Sequence, residues 1–176
     1  MAPLNSKDQF ANRFAVSVTE SVAGTPTYTE VPTYASAFSK EAFIIHRLEF
    51  SLPFTILQLL VAAGDYINVI LASANHYTSL TSQEMYKEPG VIDHFHIGAE
   101  LFGAAANMMH ATMPIVKDLT TLPGGGIIVP ARPLYVGVHG VSVAAQVTVF
   151  VRGYFTKVEL KDAEFLELMD AYRMIR

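Results

Sequence analysis

Every second residue from Val143 to Val151 is apolar: Val143, Ala145, Val147, Val149 and Val151. Gln146, Thr148 and Arg152 occupy the opposite phase. Successive side chains leave an extended strand on opposite sides, so a period of two marks a strand with one buried face. After Phe155 the apolar phase shifts to Val158 and Leu160, and Gly153 is the expected site of a β-bulge that absorbs the shift.

The same signature recurs in shorter pieces. Phe14, Val16 and Val18 alternate with Ala15, Ser17 and Thr19. Thr25 to Tyr34 is a second candidate, confined by Pro26 and Pro32 to an edge strand or extended arm. Between Ala42 and Leu52, residues Ile44, His46, Leu48, Phe50 and Leu52 share one face, and Arg47, Glu49 and Ser51 the other. Phe54 to Ala63 is a brief helix candidate with Gly64 as its C-cap. Tyr66 to Ala74, Val91 to Ile97 and Met113 to Leu119 read as strands, and Asn75 to Gly90 as a long polar loop. Gly98 to Met109 fits either helix or strand. Ile127 to Val129 and Leu134 to Val138 follow the turn Pro123-Gly124-Gly125-Gly126 and read as one strand bent at Pro130 and Pro133. Asp162 is placed to N-cap a helix over 163–173, with Phe165, Leu168, Met169 and Tyr172 as its apolar stripe.

Some eight strands with no regular alternation of helix and strand imply an all-β, two-sheet sandwich, a single jelly roll with a short C-terminal helix. At 176 residues the chain suits one domain. Its expected parts are an N-terminal strand or arm over 1–40, the sandwich over 41–160 and the helix over 161–176.

Only 16% of residues are charged, against an average of about 25%. So thin a charged coat fits either a Ser/Thr-rich surface or a surface buried against other chains. The net charge is −4, and Lys7, Arg13 and Lys40 are the only cations among the first forty residues. No basic arm is present to neutralise phosphates, so direct sequence-specific nucleic-acid binding is not expected. With no cysteine, disulfides and thiolate metal sites are excluded. The start, 1–8, lacks the apolar core of a secretory signal. The most apolar window, 52–71, holds Pro53, Gln58, Asp65 and Asn68, which argues against a membrane span.

One cluster could carry metal chemistry. His94 and His96 are two apart, hence on one face of a strand, and Glu100 follows. This spacing resembles the core of the cupin motif, with His139 as a further candidate ligand. Gly90 and Asn107 depart from the glycine spacing of that family, and the alternative is an outward-facing strand beside a loop. His46 reads as a core or rim histidine, and His110 carries no assignment. The triple glycine lacks the Lys-Ser/Thr of a phosphate loop, Ser142 has no base nearby in sequence, and no Gly-x-Ser-x-Gly elbow occurs. No catalytic residues, cofactor or metal are therefore assigned. The loop 75–90, with His76, Tyr77 and Tyr86, is the place for a glycan- or receptor-binding site if the chain has one.

Two segments taken together carry a family resemblance. One is Glu41-Ala42-Phe43-Ile44-Ile45-His46-Arg47-Leu48-Glu49-Phe50; the other runs from Pro123 through Val129-Pro130-Ala131-Arg132-Pro133-Leu134-Tyr135 into a long Val/Phe strand and an acidic helix. Over 41–176 the layout resembles the small single jelly-roll capsid proteins of icosahedral viruses of archaea and bacteria. The resemblance implies a non-enzymatic virion subunit, made in the host cytoplasm, that assembles with copies of itself into an icosahedral shell. Other capsid proteins and an internal viral membrane are further implied contacts. The alternative is a cupin-type metal-binding jelly roll using His94, His96 and Glu100. For a shell subunit, removing residues 1–35 or truncating Phe165 is expected to abolish assembly and leave a folded monomer.

Overall fold

The structure is a computed structural model; it describes residues 11–33, 40–57, 60, 62, 64–80, 85, 87–88, 90–98 and 114–173. Among these, nine strands form two antiparallel sheets: β1 (Asn12–Thr19), β2 (Thr27–Val31), β3 (Glu41–Ser51), β4 (Tyr66–Ala72), β5 (Val91–Gly98), β6 (Ile115–Asp118), β7 (Ile127–Pro130), β8 (Leu134–Val141) and β9 (Thr148–Glu159). Two helices are described, α1 (Phe54–Leu57) and α2 (Asp162–Arg173), and no described helix is long and apolar enough to cross a membrane.

The pairing is nested. β1 pairs with β9, β2 with β8, β3 with both β6 and β7, and β4 with β5. This is one long antiparallel hairpin folded on itself, with β6 and β7 sharing one edge of β3. Wrapping the hairpin brings β9 against β3 and β8 against β4. The result is one sheet ordered β1-β9-β3-β6, with β7 also on β3, and another ordered β2-β8-β4-β5. That is the jelly roll expected from the sequence.

The core lies between the sheets. Phe14, Val18, Phe43, Ile45, Leu48, Phe50, Val149, Val151 and Phe155 come from one sheet; Val31, Ile67, Val69, Leu71, Phe95, Leu134, Val136 and Val138 come from the other. Phe43 and Phe155 meet edge to face at 5.1 Å between centroids, and Phe50 stacks on Phe95 across the interior at 5.5 Å. Each fully buried side chain of this kind stabilises the fold by about 1.5–3 kcal/mol.

Four sequence expectations change. The bulge is on β3, where the register with β9 shifts between Ile45 and Arg47, and not at Gly153. His46 is the extra residue, so odd positions before it (Phe43, Ile45) and even positions after it (Leu48, Phe50) reach the same core. Ile44 instead points outward, into a separate cluster with Ala42, Val158 and Leu160. The change of apolar phase after Phe155 is therefore a change of covered face, because Phe165 and Leu168 of α2 pack over that cluster. Third, Ile127–Pro130 and Leu134–Val141 are two strands in opposite sheets, so the proline pair marks a crossing between sheets rather than a bend. Last, β1 and β2 are integral sheet strands, so residues 12–31 belong to the sandwich and not to an arm outside it.

Gly153 has another role. A Cβ there would sit 2.2 Å from Cε1 and Cζ of Phe14, whose ring occupies that space. Gly153→Ala is expected to cost about 1–3 kcal/mol through overpacking. In urea titrations, Gly153→Ala combined with Phe14→Leu should cost less than the sum of the two single substitutions, because the smaller side chain vacates the space. Strict additivity would contradict the contact.

Candidate interaction surfaces

The outer face of the β1-β9-β3-β6 sheet is divided in two. α2 covers one end. Its first turn is tied down by the Lys161 N–H, which donates to Glu164 Oε2 at 3.1 Å, and by the Phe165 N–H, which donates to the Lys161 carbonyl at 2.8 Å. The helix thus begins at Asp162 itself, one residue before its expected start at 163, and the Asp162 carboxylate pairs with Lys40. Phe165 and Leu168 face the sheet, whereas Leu166 is 62% exposed. Met169 is partly buried, and the side chain of Tyr172 lies outside the described residues.

The other end of that face is open. Strand register lines up Arg13, Tyr154 and Arg47 across β1, β9 and β3, then Ala15, Arg152 and Glu49, then Ser17, Phe150 and Ser51. Between these rows runs a groove of about 540 Å³. Phe150 stands in it 48% exposed, with a serine on either side. Glu49 is buried beneath the two arginines: Arg47 lies 2.9 Å from Oε1 and Arg152 3.2 Å from Oε2. The Arg47 guanidinium also lies 5.8 Å from the centroid of the Tyr154 ring. Sequence reasoning missed Phe150. The available signal was a large aromatic in the phase of Gln146, Thr148 and Arg152, which is the phase that faces away from the core.

On the opposite sheet the outer face is partly covered. Ile70 and Ala72 pack with Tyr77, Leu80 and Met85 from the long connection between β4 and β5. The Tyr28 hydroxyl donates to the Tyr77 carbonyl at 2.7 Å, and burial pushes the Tyr28 phenol well above its usual range. Tyr77 is itself buried. Of the aromatic residues proposed for a glycan site, only His76 is exposed among the described ones; it packs on the Tyr77 ring at 4.6 Å. Tyr86 lies outside the described residues.

The candidate metal ligands fall beside this surface. His94 and His96 do share a face of β5, paired with Ile70 and Asn68 of β4. His96 Nδ1 donates to Asn68 Oδ1 at 2.7 Å, and its ring lies 5.2 Å from that of Tyr66. His139 is in register with Asn68 on the other side, and its Nδ1 accepts from the Leu80 N–H at 3.3 Å. Glu100 and His110 lie outside the described residues. Among the described residues, no group of three His, Asp or Glu side chains is placed to hold a metal ion. His46 belongs to the bulge, where Nδ1 donates to the Gly125 carbonyl at 2.7 Å and Nε2 accepts from the Thr156 hydroxyl at 2.9 Å. Gly124 and Gly125 take φ of 88° and 76°, as the turn requires, and Ser142 sits at φ 60° between β8 and β9.

Asp93 and Lys117 close one side of the sandwich. Lys117 on β6 reaches Asp93 of β5 at 2.7 Å and also donates to the His94 carbonyl, so this ion pair joins the two sheets. Burial first, and then the Lys117 ammonium, hold the His94 imidazole below its usual range; Asp93 opposes this. Burial alone lowers His96. In the unfolded chain both rings take up protons near pH 6.5, while in the fold they resist protonation. Their stabilising contribution is complete above about pH 6.5 and is lost as the pH falls below it. Thermal melts should show the native Tm dropping over that range, with a flatter profile for the His94→Gln, His96→Gln double variant. An unchanged slope would contradict this assignment.

No protein-family model and no curated protein matches the sequence. Solved structures do. VP1 of Merkel cell polyomavirus, in complex with GD1a oligosaccharide, superposes with a TM-score of 0.53 at 5% identity, over 90% of this chain and 98% of that one. The unassembled pentamer of the same VP1 gives 0.54 at 5% identity, over 90% and 99% of the two chains. VP1 of trichodysplasia spinulosa-associated polyomavirus, in complex with GM1 oligosaccharide, gives 0.53 at 6%, over 92% and 100%. This chain shares its fold with polyomavirus VP1.

Proposed function

We propose that this chain is a capsid subunit, a structural and non-enzymatic protein that assembles with copies of itself into an icosahedral shell. The observation that carries the reading is the fold itself, matched over 90% of this chain to VP1, a protein that exists as a pentamer. The sparse charge, 16% of residues, supports it, since a subunit hidden among its neighbours needs less of a solvated coat. So does an outer sheet face that leaves Phe150 and Val116 at 48% and 43% exposure. In this reading the protein is made in the host cytoplasm and resides in the virion of a virus of archaea or bacteria. Its contacts are other copies, further capsid proteins and an internal viral membrane, with no sequence-specific grip on nucleic acid.

Light scattering and negative-stain microscopy of the purified protein, across salt concentrations, test the reading. Closed particles or ring-shaped oligomers are expected. A protein that stays monomeric at high concentration in every salt overturns it. Stoichiometric zinc in protein purified without a histidine tag, lost on His96→Ala, would point instead to the metal-binding alternative.

A further inference from the structure

We infer that the open half of the β1-β9-β3-β6 outer face receives helix α2 of a second copy, and that the exchange is reciprocal. This rests on the self-assembly reading above and specifies one of its contacts. The groove supplies an exposed aromatic with cations beside it. Arg47 and Arg152 keep 49% and 48% of their side chains exposed after pairing with Glu49, and Arg13 is exposed in the adjacent row. Asp118 is in register with Arg47, so with Glu49 and Asp118 as the acids of these rows the patch is positive by one charge, three cations against two anions.

Helix α2 offers the complement. Its sheet-facing side is Phe165 and Leu168, so the ridge of Ala163, Leu166, Glu167 and Asp170, three and four residues apart, points away from its own sandwich. Between 162 and 170 the helix has four carboxylates and no cation. Two of the four are engaged locally, Asp162 with Lys40 and Glu164 with the Lys161 N–H. Glu167 and Asp170 follow Leu166 on that ridge, and Leu166 at 62% is among the most exposed large apolar side chains described. An apolar residue beside two acids matches an aromatic beside arginines. Both elements lie on the same face of the same chain, one next to the other. A two-fold axis parallel to that face, running between helix and groove, would turn the two faces toward each other, seat each helix in the partner's groove and form the contact twice. Leu166 would lie against Phe150, where Ser17 and Ser51 leave room on either side. Glu167 and Asp170 would meet Arg152 and Arg47, which electrostatic complementarity favours. The two carboxylates within the patch make a polyanion such as nucleic acid the poorer occupant.

The chain has no cysteine, so engineered thiols report on this contact alone. Phe150→Cys and Leu166→Cys proteins are prepared separately, mixed and oxidised mildly. A disulfide needs Cα atoms about 4.4–6.8 Å apart, so a mixed dimer, absent from either variant alone, is the expected result. A Phe150→Cys protein that links only to itself overturns the inference, because groove would then face groove. Assembly with no cross-link overturns this contact and leaves the shell reading standing; a protein that stays monomeric overturns both. As a second arm, Arg152→Glu should weaken self-association by about ten-fold or more, since like charges would then face each other. Adding Glu167→Arg to the same chain, which leaves Asp170 opposite the unchanged Arg47, should restore it. Should Arg152→Glu fail to fold, Leu166→Ser, at an exposed position, gives the same loss in a native monomer. Retained affinity in Leu166→Ser, or binding of single-stranded DNA at the groove with association unchanged, rejects the helix as the occupant.

Discussion

Deletion of residues 1–35 is expected to leave an unfolded, aggregation-prone chain rather than a soluble monomer that has only lost its assembly contacts. β1 is hydrogen-bonded to β9 along its whole length, from Asn12 opposite Phe155 to Thr19 opposite Thr148. It carries Phe14 and Val18 into the core, and β2 adds Val31, all at 2% exposure or less. At roughly 1.5–3 kcal/mol for each buried side chain, these three alone approach the total stability of a domain, about 5–15 kcal/mol. The deletion also bares one edge of β9 and one edge of β8. Circular dichroism and limited proteolysis distinguish the outcomes. A truncated protein with a cooperative melt would contradict this account.

Replacing Glu20 by Ala should have the next largest effect. Glu20 follows the last residue of β1 and is 1% exposed. Oε1 accepts from the Gly140 N–H at 2.7 Å and Oε2 from the Val147 N–H at 2.9 Å, while its own N–H donates to the Val147 carbonyl at 2.9 Å. The side chain thus clips β1 to both ends of the turn between β8 and β9. Alanine would strand two buried N–H groups, at about 1–3 kcal/mol each. A loss of roughly 2–5 kcal/mol in urea unfolding is expected for Glu20→Ala. Glu20→Gln should lose less, because the amide oxygen still serves one of the two donors. Equal losses in the two variants would mean that the hydrogen bonds are not what the carboxylate contributes.

The class of fold was legible because alternation is a local signal. Phe14 and Val18, Ile67 to Leu71, and Val147 to Val151 reveal their inner face within a few residues each. What was not legible depends on partners far along the chain. Phe43, Ile44 and Ile45 are apolar in succession, so either phase suits them, and only the register against β9 shows that His46 is extra. Pro130 and Pro133 interrupt an apolar run in the same way whether the chain bends or crosses between sheets. Val158 and Leu160 looked like slipped core residues because the helix that covers the outer face comes later in the chain. The surfaces followed the same rule. The pair His94 and His96 was visible as a spacing, but its link to Asn68 required the pairing of β4 and β5. Phe150 resembled its valine neighbours, although its phase already placed it outside. Glu20 had no sequence signature, since both of its hydrogen-bond donors lie more than a hundred residues away.

The nested pairing also sets an order of events during synthesis. β1 is the first strand of the sandwich to emerge, but its neighbour in the sheet is β9, the last of these strands to be made. Until β9 leaves the ribosome, β1 has no strand beside it and β3 keeps one edge open. β4 similarly waits for β8 on one side. Closing so many long loops is slow, and exposed edges and apolar faces invite wrong partners meanwhile. A polysome loaded with such chains holds many half-made copies close together, each with open strand edges that could pair with another's. Wrong pairing between half-made chains, before the final strand is in place, is therefore the point at which native protein is most readily lost.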